Sequence, residues 1–346
     1  MSVVQTKIHP NGLAELILNR PEALNALSFE MLQQFEHYFM EWEQNEQVQV
    51  IIVRSNLPKS FCAGGDIKSL YQAKENEQAQ QAAASFFGLE FKVDAYLARY
   101  QKPIIAYLNG IVMGGGVGLS YGARLRLVTE TTRWAMPEMH IGYYPDVGAA
   151  SFLHDAPGKI GYLLGLTGQT ITGEEAWGLG LVDGMYLEKE ATQLMEQFRQ
   201  SNDVLSFFYE VEEFVKQQER PTTQFHQYQQ LIDQWFSGDS MENIWQAVEQ
   251  ANHPLAREMM EAFKGFSPLS LKVTFELLKR GELLSFEQAL KLDQTVAIRF
   301  LSEPDFFEGI RSVVIDKDRK PQYTYQSLDD VSQQMVETFF EKPIDA

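Results

Sequence analysis

Apolar positions recur along this chain with two periods, and the changeover divides it. In the first half, short runs rich in β-branched and aliphatic residues, at 14–18, 48–53 and 104–108, each precede a loop signal and then a helical pattern. Ser28 stands where an N-cap belongs, ahead of Phe29, Leu32, Phe35, Phe39 and Trp42, which recur on roughly one helical face. Residues 78–100 read as a second helix, rich in Ala and Gln, and Pro103 opens a new buried strand. Strands alternating with helices predict an α/β architecture. After about residue 190 the glycines and β-branched runs thin out. Residues 207–218, 241–249, 255–263 and 285–301 then read as amphipathic helices. Ser267-Pro268 is suited to the first turn of another, and the stretch from Gln322 onward reads as one more. The expectation is an α/β core over residues 1–195 and a helical region over 196–346, with a soft boundary at 190–205.

Composition narrows the function more than the fold. Hydrophobic residues make up 45% and charged residues 22% of the 346, an ordinary globular balance. Acidic residues outnumber basic ones 47 to 29, for a formal charge of -18. A surface this acidic repels phosphate backbones, which argues against nucleic acid as a partner. An anionic ligand would need local cations or helix N-termini. The single cysteine, Cys62, permits no intramolecular disulfide and fits a reducing compartment. No apolar run approaches a membrane span, and the first seven residues lack the apolar core of a signal peptide. The expectation is a soluble, cytoplasmic protein without a membrane partner.

Candidate chemistry gathers in four segments. Two carry glycines: Ala63-Gly64-Gly65-Asp66, after the second β-run, and Gly114-Gly115-Gly116-Val117-Gly118, after the third. Two carry carboxylates: Met136-Pro137-Glu138 and Tyr144-Pro145-Asp146-Val147-Gly148. Glycines before a helix let a substrate approach backbone N–H groups that have no intrahelical partner. A helix opening near Val117 is expected from the second segment. Two such N–H groups aimed at one oxygen make an oxyanion site, each contributing roughly 3–4 kcal/mol at a transition state. The same glycines also serve tight turns and close helix–strand packing. Glu138 and Asp146 could equally be surface or turn carboxylates, and Asp66 suits an N-cap worth about 1 kcal/mol. Competing motifs fail. The spacing of Gly114, Gly116 and Gly118 is not that of a dinucleotide loop, no G-x-S-x-G elbow occurs, and the six histidines show no metal-ligand spacing. His140 reads as a bystander and Cys62 as a packed free thiol.

Taken with Asn19-Arg20-Pro21, Leu24-Asn25-Ala26-Leu27, Leu166-Thr167-Gly168, Gly173-Glu174-Glu175-Ala176 and Gly180-Leu181-Val182, these segments resemble the crotonase (enoyl-CoA hydratase/isomerase) superfamily. The resemblance implies a crotonase-type spiral of ββα units and an acyl-CoA substrate. It implies a thioester oxygen held by the N–H groups of Gly65 and Gly115. Ala63, Gly64, Asp66, Gly114 and Gly118 would line the substrate. Hydratases of the family carry one glutamate shortly after the glycine triplet and a second in the later Pro-Glu. Here Glu138 is present, but the earlier position is Gly118, and Asp146 stands where hydratases usually have glycine. Glu138 with Asp146 resembles instead the branch that hydrolyses 3-hydroxyacyl-CoA thioesters, such as 3-hydroxyisobutyryl-CoA in valine degradation. The segments 267–272 and 305–321 resemble that branch as well. Glu138 would act as nucleophile or general base, and Asp146 would hold the substrate hydroxyl or the water. Such chemistry implies no metal and no redox cofactor. An enoyl-CoA isomerase or hydratase on the same fold, and a non-catalytic acyl-CoA or protein-binding module, remain rival readings. The family's trimers raise a homo-oligomer, although the long C-terminal part could cover that surface.

Overall fold

The β-branched runs become the strands of a largely parallel sheet. The computed structural model describes residues 2–341. Its strands are β1 (Val4–Ile8), β2 (Leu13–Leu18), β3 (Val50–Ser55), β4 (Ser60–Cys62), β5 (Ile104–Leu108), β6 (Ile111–Met113), β7 (Leu125–Val128), β8 (Arg133–Ala135), β9 (Ile171–Thr172) and β10 (Gly184–Met185). The strand expected at 104–108 matches β5, and the one expected at 48–53 starts two residues later. Val48 is still in the turn, where its N–H bonds the Asn45 carbonyl.

Six strands form one sheet in the order β1-β2-β3-β5-β7-β10, parallel throughout except for the antiparallel β1–β2 pair. A smaller sheet runs β4-β6-β8-β9, with β4, β6 and β8 mutually parallel. Each of β3, β5 and β7 runs on into a short strand of the smaller sheet, which is the repeating ββ step of the expected spiral. Because β4, β6 and β8 are parallel, the glycine segments that follow β4 and β6 leave the small sheet at the same end.

The chain divides into two compact units that interleave along the sequence. The first takes the chain up to Gly65, then Lys92–Ala135 and Thr170–Thr223. The second takes Asp66–Phe91, Met136–Gln169 and the chain from Gln224 onward. Both sheets belong to the first unit. Its helix Phe29–Gln44 starts where expected, with the Ser28 side chain accepting from the Met31 N–H. Helices Glu188–Gln200 and Val204–Gln217 press Leu194, Phe198, Val204, Phe208 and Val211 onto Leu13, Val50, Ile52, Ile105 and Leu127 of the large sheet. Burying each such side chain stabilises the unit by roughly 1.5–3 kcal/mol.

The second unit is helical. Helix Pro268–Gly281 begins as the Ser-Pro pair predicts, with Pro in its first turn and the Ser267 side chain accepting from the Ser270 N–H. Helix Phe286–Phe300 is capped by a reciprocal pair between Ser285 and Gln288. Among the described residues, the stretch after Gln322 yields a 3-10 turn, Leu328–Asp330, and a short helix, Gln333–Thr338. Among the described residues no strand follows β10, and no helix is long and apolar enough to cross a membrane.

Candidate active site

The glycine segments meet in the first unit. β4 delivers the chain to Ala63-Gly64-Gly65, and β6 delivers it to Gly114, which caps the helix Gly115–Tyr121. That helix starts two residues before the expected position. Glycine is a poor helix former, but the start is imposed from outside. Gly114 adopts φ 49°, ψ -121°, open only to glycine, and its N–H is bonded to the Ala135 carbonyl at the end of β8. Gly64 lies against this turn, so that a Cβ added to it would sit 3.9 Å from the Gly115 nitrogen. The Gly64 carbonyl accepts from the Leu27 N–H at 2.8 Å, and Leu27 also bridges to Gly65. Among the described residues no protein acceptor takes the N–H of Gly65 or of Gly115. At Gly115 this follows from its place in the first helical turn.

Cys62 and Gly116 form the back of the cradle. A Cβ on Gly116 would lie 2.7 Å from the Cys62 Cβ, so Gly116 is there for close packing, and Cys62 is the buried, packed thiol expected, outside any disulfide. Gly118 is buried in the same helix and contributes no side chain.

The carboxylates occupy the second unit. Pro137 precedes a single 3-10 turn, Glu138–Ile141, which Gly142 closes in the left-handed conformation. The Tyr143 N–H then returns to the Glu138 carbonyl at 3.2 Å. Glu138 is buried, and its Oε2 has no hydrogen-bond partner among the described residues. Asp146 is buried too, 5% exposed, in the turn that leads into the short helix Ala149–Phe152. Aromatic rings pack in the same segment. Tyr143 and Tyr144 lie 4.5 Å apart between centroids, Tyr144 stacks on Phe300 at 5.2 Å, and Tyr143 stacks on Phe87 at 5.8 Å.

This setting decides the protonation. Burial raises the Glu138 carboxyl well above the ordinary carboxylate range, and the charge of Asp146 raises it further. Burial likewise pushes Asp146 up to about 7, against a smaller opposing pull from its own backbone and from Tyr143. Both carboxyls are thus shifted in the same direction, toward their protonated forms. Asp66, as expected, caps a helix: its Oδ1 accepts from the Ser69 N–H at the start of Ile67–Tyr71. His140 packs edge-on against Phe266 at 4.9 Å, an apolar neighbour.

One residue of this cluster escaped the sequence reading. Asp293 lies fully buried on helix Phe286–Phe300 and takes the Gly148 N–H on its Oδ2 at 2.7 Å. The signal was available. Asp293 falls on the apolar stripe formed by Ala289, Leu290, Val296, Ala297 and Phe300, where an acid has no ordinary business. Among the described residues, no group of three or more His, Cys, Asp and Glu side chains is arranged to hold a metal ion.

Known proteins match nearly the whole chain in sequence and in fold. A 3-hydroxyisobutyryl-CoA hydrolase, named as mitochondrial, from Gallus gallus is 35% identical over 340 residues, spanning 96% of this chain and 87% of that protein. Among solved structures, an enoyl-CoA hydratase from Rhodobacter sphaeroides 2.4.1 matches with a TM-score of 0.90 at 32% identity, covering 99% of this chain and 98% of its own. A carnitinyl-CoA dehydratase from Mycobacterium thermoresistibile matches with a TM-score of 0.91 at 30% identity, covering 100% and 98%. The family model for enoyl-CoA hydratase/isomerase matches residues 13–340, glycine cradle and carboxylate pair included. The chain therefore belongs to the enoyl-CoA hydratase/isomerase family.

Proposed function

We propose that this chain is a hydrolase of 3-hydroxyacyl-CoA thioesters and acts on 3-hydroxyisobutyryl-CoA. Water and the thioester give the free 3-hydroxy acid and CoA thiol. The observation that carries the reading is the buried pair Glu138 and Asp146, each raised by burial, in a chain whose position 118 is glycine. Hydration across a double bond uses two groups, and the family's usual second glutamate has no counterpart at Gly118. The name of the Gallus gallus relative supports the same reaction.

In this reading the N–H groups of Gly65 and Gly115 hold the thioester oxygen as it gains charge. Ala63, Gly64 and Gly114 offer backbone alone, so the acyl group approaches closely. Glu138 either attacks the carbonyl carbon, giving an anhydride that water then cleaves, or takes a proton from the attacking water. The C–S bond breaks, and the thiolate leaves with a proton. Asp146 holds the 3-hydroxyl group or the water. Label from isotopically labelled water found in the Glu138 side chain after a single turnover would establish the anhydride route, since general-base attack leaves both Glu138 oxygens unchanged. The balanced reaction calls for neither a metal nor a redox cofactor. A cytoplasmic setting fits the lone buried Cys62, while the Gallus gallus relative is named mitochondrial. Cell fractionation decides between the two compartments, and light scattering tests the homo-oligomer that the family suggests.

The deciding assay follows free thiol from 3-hydroxyisobutyryl-CoA beside hydration and isomerisation of enoyl-CoAs. Thiol release with little enoyl turnover is expected. Enoyl turnover without thiol release would overturn the hydrolase. Tight CoA-ester binding with no turnover at all would point to a binding module.

A further inference from the structure

Asp146 sits in a turn that the backbone does not adopt readily. The next residue, Val147, has φ 49°, the left-handed region that β-branched side chains rarely enter, and Gly148 follows at φ 83°. A turn of that kind persists only when its surroundings over-determine it. Here one residue supplies a large part of the restraint, through its carboxyl group at Gly148 and its backbone carbonyl at Tyr144. The Gly148 N–H donates to Asp293 Oδ2 at 2.7 Å, and the Tyr144 hydroxyl donates to the Asp293 carbonyl oxygen at 3.1 Å. Asp293 thus grips the segment two residues before and two residues after Asp146. The same helix presses Phe286 against Gly148, where an added Cβ would lie 2.2 Å from the ring.

We propose that Asp293 is a positioning residue, whose carboxyl oxygen holds the strained Val147–Gly148 turn and so fixes the Asp146 carboxylate for catalysis. This rests on the hydrolase reading for the reaction concerned, but the turn itself can be tested apart from it. Asp293 Oδ1 has no partner among the described residues. Burial, with the Asp146 charge nearby, favours its protonated form. The working group is then a neutral acceptor oxygen, which asparagine can replace and leucine cannot.

The test compares Asp293→Asn and Asp293→Leu in the full chain. Two readouts are needed: thiol release from 3-hydroxyisobutyryl-CoA, and amide exchange of the peptide containing Gly148, followed by mass spectrometry. Asp293→Asn is expected to stay within about 5-fold of the parent kcat and to keep Gly148 protected. Asp293→Leu is expected to lose about 100-fold in kcat, a loss of about 2.7 kcal/mol, with KM within about 3-fold and faster exchange at Gly148. A folded leucine variant with parent kcat overturns the proposal, and so does an asparagine variant as slow as leucine. Should the leucine variant fail to fold, Gly148 protection in the asparagine variant decides: parental exchange supports the role and accelerated exchange rejects it. If the parent chain releases no thiol, the hydrolase reading fails while the exchange measurement still judges the turn.

Discussion

Glu15 and Glu138 are both buried carboxylates, 1% and 9% exposed, and the protein drives them in opposite directions. Glu15 sits on β2 in the first unit. Burial pushes its pKa up, but hydrogen bonds from Arg199 and Arg54, the charge of Arg54 and the contact with His9 together bring it down to about 2. Arg199 reaches both its oxygens at 2.9 Å, and His9 meets Oε1 at 2.7 Å. Glu138, in the second unit, has burial and the Asp146 charge acting the same way, with no cation among the described residues offsetting them. Burial alone does not tell a structural acid from a reactive one. Its partners do. A carboxylate locked between guanidinium groups has no proton to exchange near neutral pH, whereas one beside another carboxylate does.

The sharpest way to break this contrast is to neutralise each acid in turn. Glu138→Gln is expected to lower thiol release by about a thousandfold, or about 4 kcal/mol of barrier, with CoA-ester binding retained. Glu15→Gln should leave kcat within about 2-fold and lower the unfolding midpoint instead. Steady-state kinetics and urea titration on the same preparations read both. A Glu138→Gln enzyme at parental speed would end the assignment of Glu138 to the chemistry.

Removing a partner sharpens the structural side. Arg199→Leu leaves Glu15 buried with half of its ion pairing gone, and losing one member of a buried pair costs about 3 kcal/mol. The loss should appear in urea unfolding, with kcat unchanged. An activity loss as large as the stability loss would mean that the Glu15 network is coupled to the site.

How far the sequence foretold this contrast depends on distance along the chain. Glycine cradle and helix caps were legible because their signals are local: Ser28 and Ser267 meet N–H groups three residues on. Glu138 and Asp146 share one short segment, so their pairing could be read too. β4, β6 and β8 have three residues each, too few for an alternating pattern to register. The helix start at Gly115 was displaced because the β8 carbonyl of Ala135 fixes Gly114 through space. Glu15 meets Arg54 only because β2 and β3 pair in parallel, and Arg199 comes from a helix far along the chain. Asp293 is equally remote from Gly148, although its place on an apolar stripe was visible.

The smallest expected effect is the pH dependence of stability, where the two acids should differ in sign. For Asp146 the folded pKa is raised from 3.8 to about 7. Between those values the unfolded chain has released its proton while the folded protein keeps it, so the native state binds more protons and stability falls as pH rises. Glu138 and Asp293, both raised, act in the same direction. For Glu15 the folded pKa is lowered from 4.5 to about 2, so its contribution is present above 4.5 and is lost as pH falls toward 2. Asp146→Asn should therefore gain roughly 1–2 kcal/mol over the parent at pH 8 and almost nothing at pH 3. Glu15→Gln should lose most at pH 7 and approach the parent as the solution is acidified. Urea midpoints of the three proteins from pH 3 to pH 8 measure both slopes. An Asp146→Asn gain that is the same at both ends of the range would show that the residue is relieved of packing strain and not of a buried charge, and the contrast with Glu15 would then rest on kinetics alone.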